Sequence, residues 1–473
     1  MPRKAEIMSV QNTHFGAEKI KALLVDCNSI FFIGIGGVNM SSLALISHKR
    51  GYKVGGSDRT ETAVTKSLEE NGLEVFYGHD AENISKYDAV VYTVAISEDN
   101  PEYLRANEQG IPCISRADFM GYLMTGYSRR IGISGMHGKS TCTSMCASVF
   151  MNADADPTVL SGASLKSMGG AYRIGGNDNF VFEACEYMDS FLDFYPTVAV
   201  ILNVEMDHVD YFKSMDHIYS SFGKFAEIAE FENGCVVYNS DDANVNKSLE
   251  KFNGRRISFA INDKQATFRA ENLIFNNGCA EFDVILESEE FCHIKLAVTG
   301  EHNVYNSLAT CAVAYLCGIG GEKIVRGLAD FTGADRRMEF KGKWHGVDVY
   351  DDYGHHPTEI KRTLEGAAAM GYERVFCVFQ PHTYSRTKGL FDDLVKSFSS
   401  IDKAIIADIY AAREIDNGEI SSKKVADAVS NAEYVGDMTA IAKYLEKELK
   451  DGDLLVVMGA GDIYKLFDYM KFD

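Results

Sequence analysis

The sequence lacks the features that would place its chain in a membrane, outside the cell or on nucleic acid. Its 473 residues contain no apolar run near the length of a membrane span. The first twenty residues lack the apolar segment and the small-residue cleavage site of a secretory signal. The 11 cysteines are spread singly with no CxxC pair, which indicates neither a zinc site nor a disulfide framework. We therefore expect a cytoplasmic protein with reduced thiols.

The chain also has too few basic residues to attract a phosphate backbone. Lys and Arg number 47 against 68 Asp and Glu, which gives a formal net charge of -21 and argues against nucleic acid as a partner. Anionic small molecules must then be bound by local clusters of Arg, Lys, glycine loops or metal. With 46% hydrophobic residues and no internal repeat, the length predicts roughly three domains.

The segment IGISGMHGKS, residues 131–140, predicts a phosphate-binding loop. An apolar β-type run breaks into a glycine turn that ends in Gly138, Lys139 and Ser140. In such a loop the backbone N–H groups face a polyphosphate, the lysine binds the β and γ phosphates, and the hydroxyl binds Mg²⁺. The place of the usual first glycine is taken by Ile133. Because so short a pattern also occurs by chance, the rest of the chain must support it.

A second glycine turn near the start predicts a Rossmann-like unit. Residues 29–58 read as a strand, a glycine turn, a helix and a second strand that ends at Asp58. Gly34 and Gly36 fill two places of the dinucleotide pattern, but Asn39 occupies the third. Asp58 and His79 are candidates for contacts to a sugar nucleotide, although an aspartate after a strand is often only a helix cap.

The fold prediction is three α/β domains in series. We expect a Rossmann-like domain in residues 1–127, a P-loop-type ATPase domain with a mostly parallel sheet in 128–333, and a Rossmann-like α/β domain in 334–473. Strands are predicted at 180–184 and 197–204 in the second domain, and at 347–350, 375–379, 404–407 and 454–458 in the third. The β-rich stretch 235–299 indicates a small antiparallel insertion, and a helix follows GEHNVYN.

Polar side chains at strand ends and helix starts predict the metal and nucleotide contacts. Glu186 and His208 follow two buried strands, where they can hold Mg²⁺ beside a phosphate loop. Alternatively they are a surface carboxylate and a hydrogen-bonded loop residue. Asn303 and Asn306 lie three apart at a helix start and can present amides to a base or phosphate, or simply cap the helix.

The third domain concentrates titratable groups directly after its strands. Arg336 and Arg337 follow a glycine turn at the proposed hinge, where a guanidinium can reach a γ phosphate or form a solvated salt bridge. The segment DDYGHHPTEI, 351–360, places two acids, a tyrosine and two histidines around a glycine, and FQPHTYSRT, 379–387, places His382 and Arg386 four apart. An arginine there can hold a substrate carboxylate, and a neutral histidine can accept a proton from an amine.

Taken in order along the chain, these segments resemble the Mur ligases, the ATP-dependent amide-forming enzymes of peptidoglycan synthesis. The motifs GMHGKST, FIGIGGVNM, the GSD that ends at Asp58, DDYGHHPTE and FQPH carry the resemblance. They are most similar to the branch that adds L-alanine to UDP-N-acetylmuramate. The resemblance implies that ATP phosphorylates the lactyl carboxylate of the sugar and that the amine of L-alanine then attacks the acyl phosphate.

The resemblance also implies roles for individual residues. ATP contacts are expected at Gly135, His137, Gly138, Lys139, Ser140, Thr141, Asn303, Asn306, Arg337 and Asp352, and Mg²⁺ contacts at Ser140, Glu186 and His208. Substrate contacts are expected at Gly34, Gly36, Gly37, Asp58, His79, Tyr353 and Arg386. Lys139, Arg337, His355 and His382 are the expected catalytic residues, and Arg386 the expected anchor of the amino-acid carboxylate.

Three residues depart from the family pattern, and other functions stay open. Asn39 replaces a glycine, Cys185 replaces an aspartate and Thr383 replaces an arginine; the bridging lysine that some relatives carry is not located. The alternatives are a ligase that recycles a tripeptide onto UDP-N-acetylmuramate, a non-catalytic sensor of the UDP-sugar, or a kinase or plain ATPase. We expect a monomer or a weak homodimer.

Overall fold

The computed structural model describes residues 10–208, 211–412 and 414–472, and three β-sheets follow one another along them. Residues 1–9, on which the prediction about a secretory signal partly depends, lie outside this description. Among the described helices, none combines the length and the apolar composition needed to cross a membrane. The α/β fold with three sheets agrees with the predicted fold class.

The first sheet has five parallel strands in the order β3-β2-β1-β4-β5. The glycine turn after β1 leads directly into α2, as the sequence predicts for a Rossmann-like unit. The elements are α1 Ala17–Leu23, β1 Ser29–Ile33, α2 Val38–Lys49, β2 Lys53–Asp58, α3 Ala63–Glu70, β3 Glu74–Tyr77, a 3-10 helix Ala81–Ile84, β4 Ala89–Tyr92, α4 Pro101–Gln109, β5 Cys113–Ser115 and α5 Arg116–Met124.

The second sheet has ten strands, and the strand before the phosphate loop lies inside it. The order is β15-β14-β13-β12-β11-β10-β6-β9-β7-β8. The elements are β6 Arg129–Ser134, α6 Lys139–Asn152, β7 Thr158–Leu165, β8 Gly170–Arg173, β9 Asn179–Glu183, β10 Val198–Ile201, α7 Met215–Phe231, β11 Cys235–Asn239, α8 Ala243–Ser248, β12 Arg256–Ala260, β13 Phe268–Asn276, β14 Cys279–Leu286, β15 Glu289–Thr299, α9 Glu301–Leu316 and α10 Gly321–Ala329. Two 3-10 helices span Lys166–Met168 and Tyr187–Asp193.

The antiparallel part of this sheet is narrower than the predicted stretch 235–299. Strands β11 and β12 pair in parallel with the main sheet. Within the stretch 235–299 the antiparallel pairs are β13–β14 and β14–β15, and β7–β8 is a further antiparallel pair at the opposite edge of the sheet. Strands β13, β14 and β15 continue the same sheet at its edge. They belong to the main sheet because β12 also pairs in parallel with β13, through Phe259 and Ala260.

The third sheet has six strands in the order β16-β17-β21-β18-β19-β20. All four strands predicted for this domain are present, together with β16 and β20, which were not predicted. The elements are β16 Glu339–Trp344, β17 Val347–Asp352, α11 Pro357–Ala368, β18 Val375–Phe379, α12 Tyr384–Gly389, α13 Phe391–Lys396, β19 Lys403–Ala407, α14 Ser422–Ala428, β20 Ala432–Gly436, α15 Met438–Glu448, β21 Leu454–Met458 and a 3-10 helix Ile463–Tyr469.

Buried apolar side chains join the first two sheets but cover the third separately. One cluster runs without a break from Ile20 to Met124 of the first unit and on to Phe180 and Phe225 of the second. The two faces of the third sheet carry clusters of their own. The domain boundaries at residues 127 and 333 stay predictions, and the sheets occupy residues 29–115, 129–299 and 339–458.

Candidate active site

The glycine turn between β6 and α6 has the backbone conformation of a phosphate-binding loop. Gly135 and Gly138 have φ angles of 135° and 83°, which L residues rarely adopt. Gly138 caps the N-terminus of α6, so Lys139, Ser140 and Thr141 form its first turn. A Cβ at Gly138 would lie 2.7 Å from Asn306 Oδ1. The start of α9 therefore lies against the loop, where the sequence placed its two asparagines.

Lys139 and the two predicted metal ligands form one contact network. The Lys139 Nζ lies 2.9 Å from Glu186 Oε2, and His208 Nε2 lies 3.3 Å from Glu186 Oε1. Glu186 is fully buried, and although burial opposes ionisation, Lys139 holds its pKa below the usual value. Burial likewise opposes the charge on Lys139, yet Glu186 raises the pKa of that amine. Both groups are therefore charged and paired at neutral pH.

A cavity of about 650 Å³ opens on one side of the loop. Its wall contains His137, Gly138 and Thr141 from the loop and first turn of α6, and Asn303 and Asn306 from α9. Asn306 Nδ2 donates to Asn303 Oδ1 at 3.1 Å, and Asn303 Nδ2 donates to the Thr299 carbonyl. Arg337 and Asp352 of the third domain complete the wall. Seven of the ten predicted nucleotide residues therefore line this cavity, whereas Lys139 and Ser140 line the neighbouring one and Gly135 lines neither.

A second cavity, also about 650 Å³, opens on the other side. It is lined by Lys139, Ser140 and His208 of the central domain and by Tyr353 and His355 of the third. Four residues line both cavities: His137, Gly138, Arg337 and Glu359. A group transferred from a ligand in one cavity to a ligand in the other would pass this shared wall.

His137 of the loop lies between carboxylates of two domains. Its Nε2 contacts Glu205 Oε1 of the central domain, and its Nδ1 lies 3.2 Å from Glu359 Oε1 on α11. Burial opposes protonation, but the two carboxylates outweigh it and raise the pKa of His137 to about 9. Glu359 also lies 3.6 Å from Arg337 Nη1. One carboxylate therefore connects the loop to the predicted phosphate-binding arginine.

Arg337 and Asp352 are close together but make different contacts. Asp352 accepts the N–H groups of Met338 at 2.9 Å and of Gly354 at 2.7 Å, which fixes the chain on both sides of β17. Burial raises the pKa of Asp352. The Arg337 guanidinium lies over the Tyr353 ring at 5.6 Å. Asp352 thus fixes the backbone at Met338, directly after Arg337. Arg337 and Asp352 both line the first cavity.

Three further predicted residues of the third domain, His355, His382 and Arg386, form a group at the interface. His382 Nδ1 lies 3.1 Å from Arg386 Nη1, and the rings of His382 and His355 are 5.7 Å apart. Burial lowers the pKa of His355 to about 4 and also lowers that of His382. Both imidazoles are neutral at pH 7. Arg386 Nη2 lies 3.2 Å from Asp207 Oδ1 of the central domain.

The five predicted substrate residues of the N-terminal domain lie at the carboxyl ends of its strands, away from both cavities. Gly36 N–H donates to Asp58 Oδ2 at 2.9 Å, so Asp58 holds the turn between Gly34 and Gly37. His79 Nδ1 lies 2.8 Å from the buried Glu102 Oε2. Neither of the two large cavities is lined by these residues.

The three departures from the family pattern occupy distinct places. Asn39 is exposed in the first turn of α2, and Cys185 is an exposed thiol beside Glu186. Thr383 caps α12 with φ 64°, and its side chain accepts from Arg386 N–H at 3.5 Å. Of the three, Thr383 is the one that directly supports a predicted site residue.

Three carboxylates of the site were not selected from the sequence: Glu205, Asp207 and Glu359. Glu205 and Asp207 lie in NVEMDH, residues 203–208, the segment that ends at the predicted ligand His208, and Glu359 lies in DDYGHHPTEI. Glu359 also forms the capping box of α11 with His356, so its spacing indicates only a helix start. The position of Asp207 directly before His208, at the end of a buried strand, was a usable signal.

The sequence matches three family profiles in chain order. Residues 29–128 match "Mur ligase family, catalytic domain", residues 133–314 match "Mur ligase middle domain", and residues 336–461 match "Mur ligase, glutamate ligase domain". Together these matches span most of the chain.

Curated relatives and solved structures agree with these matches. The UDP-N-acetylmuramate--L-alanine ligase of Acetivibrio thermocellus is 46% identical over 442 residues, which are 92% of this chain and 94% of the relative. The protein of the same name from Clostridium novyi is 45% identical over 92% of this chain and 96% of its own. The crystal structure of UDP-N-acetylmuramate-alanine ligase from Thermotoga maritima is similar with a TM-score of 0.76 at 27% identity, over 93% of this chain and 98% of that one.

Proposed function

This chain belongs to the Mur ligase family, and from that premise we propose that it joins L-alanine to the lactyl carboxylate of UDP-N-acetylmuramate while ATP is converted to ADP and phosphate. The observation that carries this proposal is the wall shared by the two cavities at the phosphate loop. ATP in the first cavity and a carboxylate in the second would meet there. The product is a peptidoglycan precursor.

The first cavity is assigned to ATP. The N–H groups at the start of α6 and the amine of Lys139, which lines the neighbouring cavity, would face the β and γ phosphates, because a helix N-terminus and a lysine both favour anions. Asn303 and Asn306 present amide groups to the nucleoside. When ATP binds, the Lys139 amine would leave its ion pair with Glu186 and pair with a phosphate of the ligand instead.

The residues around Glu186 fit a magnesium ion. Glu186 is a buried carboxylate whose two oxygens contact Lys139 and His208, and both of these residues line the second cavity together with Ser140. Once Lys139 moves to phosphate, Glu186 needs another cation, since a buried carboxylate without a partner is unfavourable. Mg²⁺ held by Glu186, His208 and Ser140 would supply that charge and neutralise the transferring phosphoryl group.

The second cavity is assigned to the two acceptors in turn. A lactyl carboxylate oxygen attacks the γ phosphorus, ADP leaves, and an acyl phosphate forms beside Arg337. The amine nitrogen of L-alanine then attacks the carbonyl carbon, and phosphate leaves. Lys139 and Arg337 stabilise the charge that spreads over the phosphoryl oxygens. His355, neutral because burial lowers its pKa to about 4, accepts a proton from the attacking amine.

A small hollow beside Arg386 favours a small amino acid. The hollow has a volume of about 10 Å³ and is lined by His355, His382 and Arg386 together with apolar side chains such as Phe379 and Leu390. Such a volume holds about one water-sized group. A methyl group fits it. Arg386 at its wall would pair with the free carboxylate of L-alanine, which the first residue of a tripeptide lacks, and this favours L-alanine over the recycling alternative.

The N-terminal domain, residues 1–127, is assigned to the UDP-sugar, with residues 128–333 binding ATP and 334–473 binding the amino acid. The N-terminus of α2, which follows the glycine turn from Gly34 to Gly37, would face the diphosphate, and Asp58 and His79 lie beside the turn. A cytoplasmic location and a monomeric or weakly dimeric state remain predictions.

The proposal is tested by phosphate release from ATP and Mg²⁺ with UDP-N-acetylmuramate and a panel of acceptors. Release that requires both the sugar and L-alanine supports the proposal. Release that requires the sugar and the free tripeptide would identify the recycling reaction. Release without any acceptor would identify a plain ATPase, and no release with any acceptor would identify a sensor.

A further inference from the structure

Arg386, the proposed anchor of the amino-acid carboxylate, already holds a carboxylate of the chain. Its Nε and Nη2 atoms lie 3.3 and 3.2 Å from Asp207 Oδ1. Arg386 is on α12 of the third domain, and Asp207 follows β10 in the central domain. The pair therefore closes the interface at the place where the amino acid must enter.

Asp207 cannot lose this cation without a replacement. It is 5% exposed, and besides Arg386 its Oδ1 accepts the His208 N–H at 2.6 Å. An amino-acid carboxylate that took Arg386 alone would leave Asp207 buried and without its guanidinium, which is strongly unfavourable for a charged group. A free amino acid carries a positive ammonium group on the carbon next to its carboxylate, so it brings the replacement with it.

On the premise of the proposed function, we propose that Asp207 binds the ammonium group of L-alanine while Arg386 binds its carboxylate. The zwitterion inserts into the Asp207–Arg386 ion pair and replaces one interdomain pair by two pairs to the ligand. Asp207 is thus a substrate-binding residue that selects an amino acid over a simple carboxylate. It also ties amino-acid binding to the contact between the central and third domains.

The surroundings of the pair agree with this arrangement. Asp207 and His355 line the large cavity that contains Lys139 and Arg337, whereas Arg386 and His355 line the small hollow. The Asp207–Arg386 pair thus stands between the two spaces. An ammonium group on Asp207 would lie on the side of the acyl phosphate, which is the side from which the amine must attack.

Two other roles for Asp207 would give different results. Asp207 Oδ2 lies 4.0 Å from His208 Nε2, so the carboxylate can act through the proposed magnesium ligand. It can also serve only to orient Arg386. The first role would impair phosphoryl transfer itself, and the second would impair the binding of any carboxylate.

The test compares three nucleophiles in the wild type and in Asp207→Asn. Hydroxylamine traps the acyl phosphate and has neither charge at neutral pH, aminooxyacetate has the carboxylate but an uncharged nucleophile, and L-alanine has both charges. We expect Asp207→Asn to raise the KM for L-alanine about 30-fold or more, the scale for truncating a buried charge pair. Hydroxamate formation from hydroxylamine and capture by aminooxyacetate should be unchanged.

The matched control is Asp453→Asn, which breaks the pair of the buried Asp453 with the half-buried Arg374, 2.5 Å apart, in the third domain. This pair lines neither large cavity, so the variant should keep the KM for L-alanine of the wild type. An unchanged KM in Asp207→Asn would overturn the inference, as would equal losses with L-alanine and aminooxyacetate, or a parallel loss of hydroxamate. Absence of hydroxamate from the wild-type enzyme would instead contradict the proposed function.

Discussion

The two interfaces between domains are built from different chemistry. Between the N-terminal and central domains, buried apolar side chains form one continuous cluster. Within this cluster Phe194 packs edge-on against Phe182, also of the central domain, with ring centroids 5.4 Å apart. Across the domain boundary, Tyr195 N–H contacts Met124 Sδ. Between the central and third domains, the contacts are ion pairs such as Arg386–Asp207 beside large cavities.

The difference shows which interface a ligand can alter. Apolar burial is non-directional and does not depend on ligands, so the first interface holds the N-terminal domain in place. An ion pair can exchange one partner for a charged ligand at modest cost. Each proposed ligand-binding cation faces a carboxylate of the chain: Lys139 faces Glu186, Arg337 faces Glu359 and Arg386 faces Asp207. The charged interface is thus arranged for anionic substrates.

The largest effect is expected from Lys139→Ala. Without the amine, the γ phosphate loses a fixed positive charge in the transition state, and kcat/KM should fall about a thousandfold, or about 4 kcal/mol. The measurement is steady-state phosphate release, with circular dichroism to check folding. Lys86→Ala, at the exposed pair with Glu74, is the control. A folded Lys139 variant with near-normal turnover would refute the role.

The apolar cluster shared by the N-terminal and central domains is tested by Phe194→Ala. Removing this buried ring should lower the free energy of unfolding by about 3–4 kcal/mol because it leaves a cavity beside Phe182. Denaturant unfolding measures the change, and the KM values for ATP and L-alanine should stay the same. Phe231→Ala, at a side chain that is 83% exposed, should change stability little. A Phe194 variant with unchanged stability and altered KM values would contradict the claim that the apolar interface contributes stability and does not affect ligand binding.

Arg386→Ala tests the charged interface at the amino-acid site. Losing the guanidinium should raise the KM for L-alanine about thirtyfold to a hundredfold, or about 2–3 kcal/mol, while the KM for ATP changes little. Initial rates at varied L-alanine and varied ATP measure both. If the two KM values rise by the same factor, Arg386 supports the whole interface and is not the carboxylate anchor.

The smallest expected effect is a pH-dependent stability change at His137. Its pKa is about 9 in the folded protein against 6.5 for a free histidine, so its contribution is complete below pH 6.5 and is lost as the pH rises through 9. His137→Gln should therefore lower the free energy of unfolding by about 2 kcal/mol at pH 6 and by almost nothing at pH 10. Urea unfolding at both pH values measures the difference in unfolding free energy between the wild type and the variant. If this free-energy difference were the same at pH 6 and pH 10, the contact of His137 with Glu205 and Glu359 would not depend on the charge of His137.

The sequence predicts local elements well because their signals are local. The phosphate loop and the strands around it follow from apolar runs that end in glycine turns, and Lys139, Glu186 and His208 gather because the ends of neighbouring parallel strands meet at one edge of a sheet. The strands β16 and β20 were missed because their residues are mostly half-exposed and polar, with the burial pattern of edge strands.

The sequence predicted site residues within recognisable motifs, but it did not predict the contacts between motifs of different domains. Glu359 joins His137 of the loop to Arg337 of another domain, and Asp207 pairs with Arg386, 179 positions away. No spacing along the chain encodes such contacts, since they depend on how two domains pack. The parallel pairing of β12 with β13 could not be predicted for the same reason. Alternation along a strand indicates which side chains are buried, but it does not indicate which strand lies beside it.

The most direct test of the central claim follows the carboxylate oxygens of UDP-N-acetylmuramate labelled with oxygen-18 in the lactyl group. An acyl phosphate transfers one carboxylate oxygen to phosphorus before the amine of L-alanine displaces it. We predict that each turnover places one labelled oxygen in the released phosphate and leaves the other in the amide carbonyl. Unlabelled phosphate formed together with the amide would contradict the account, because the carboxylate would then never have been phosphorylated.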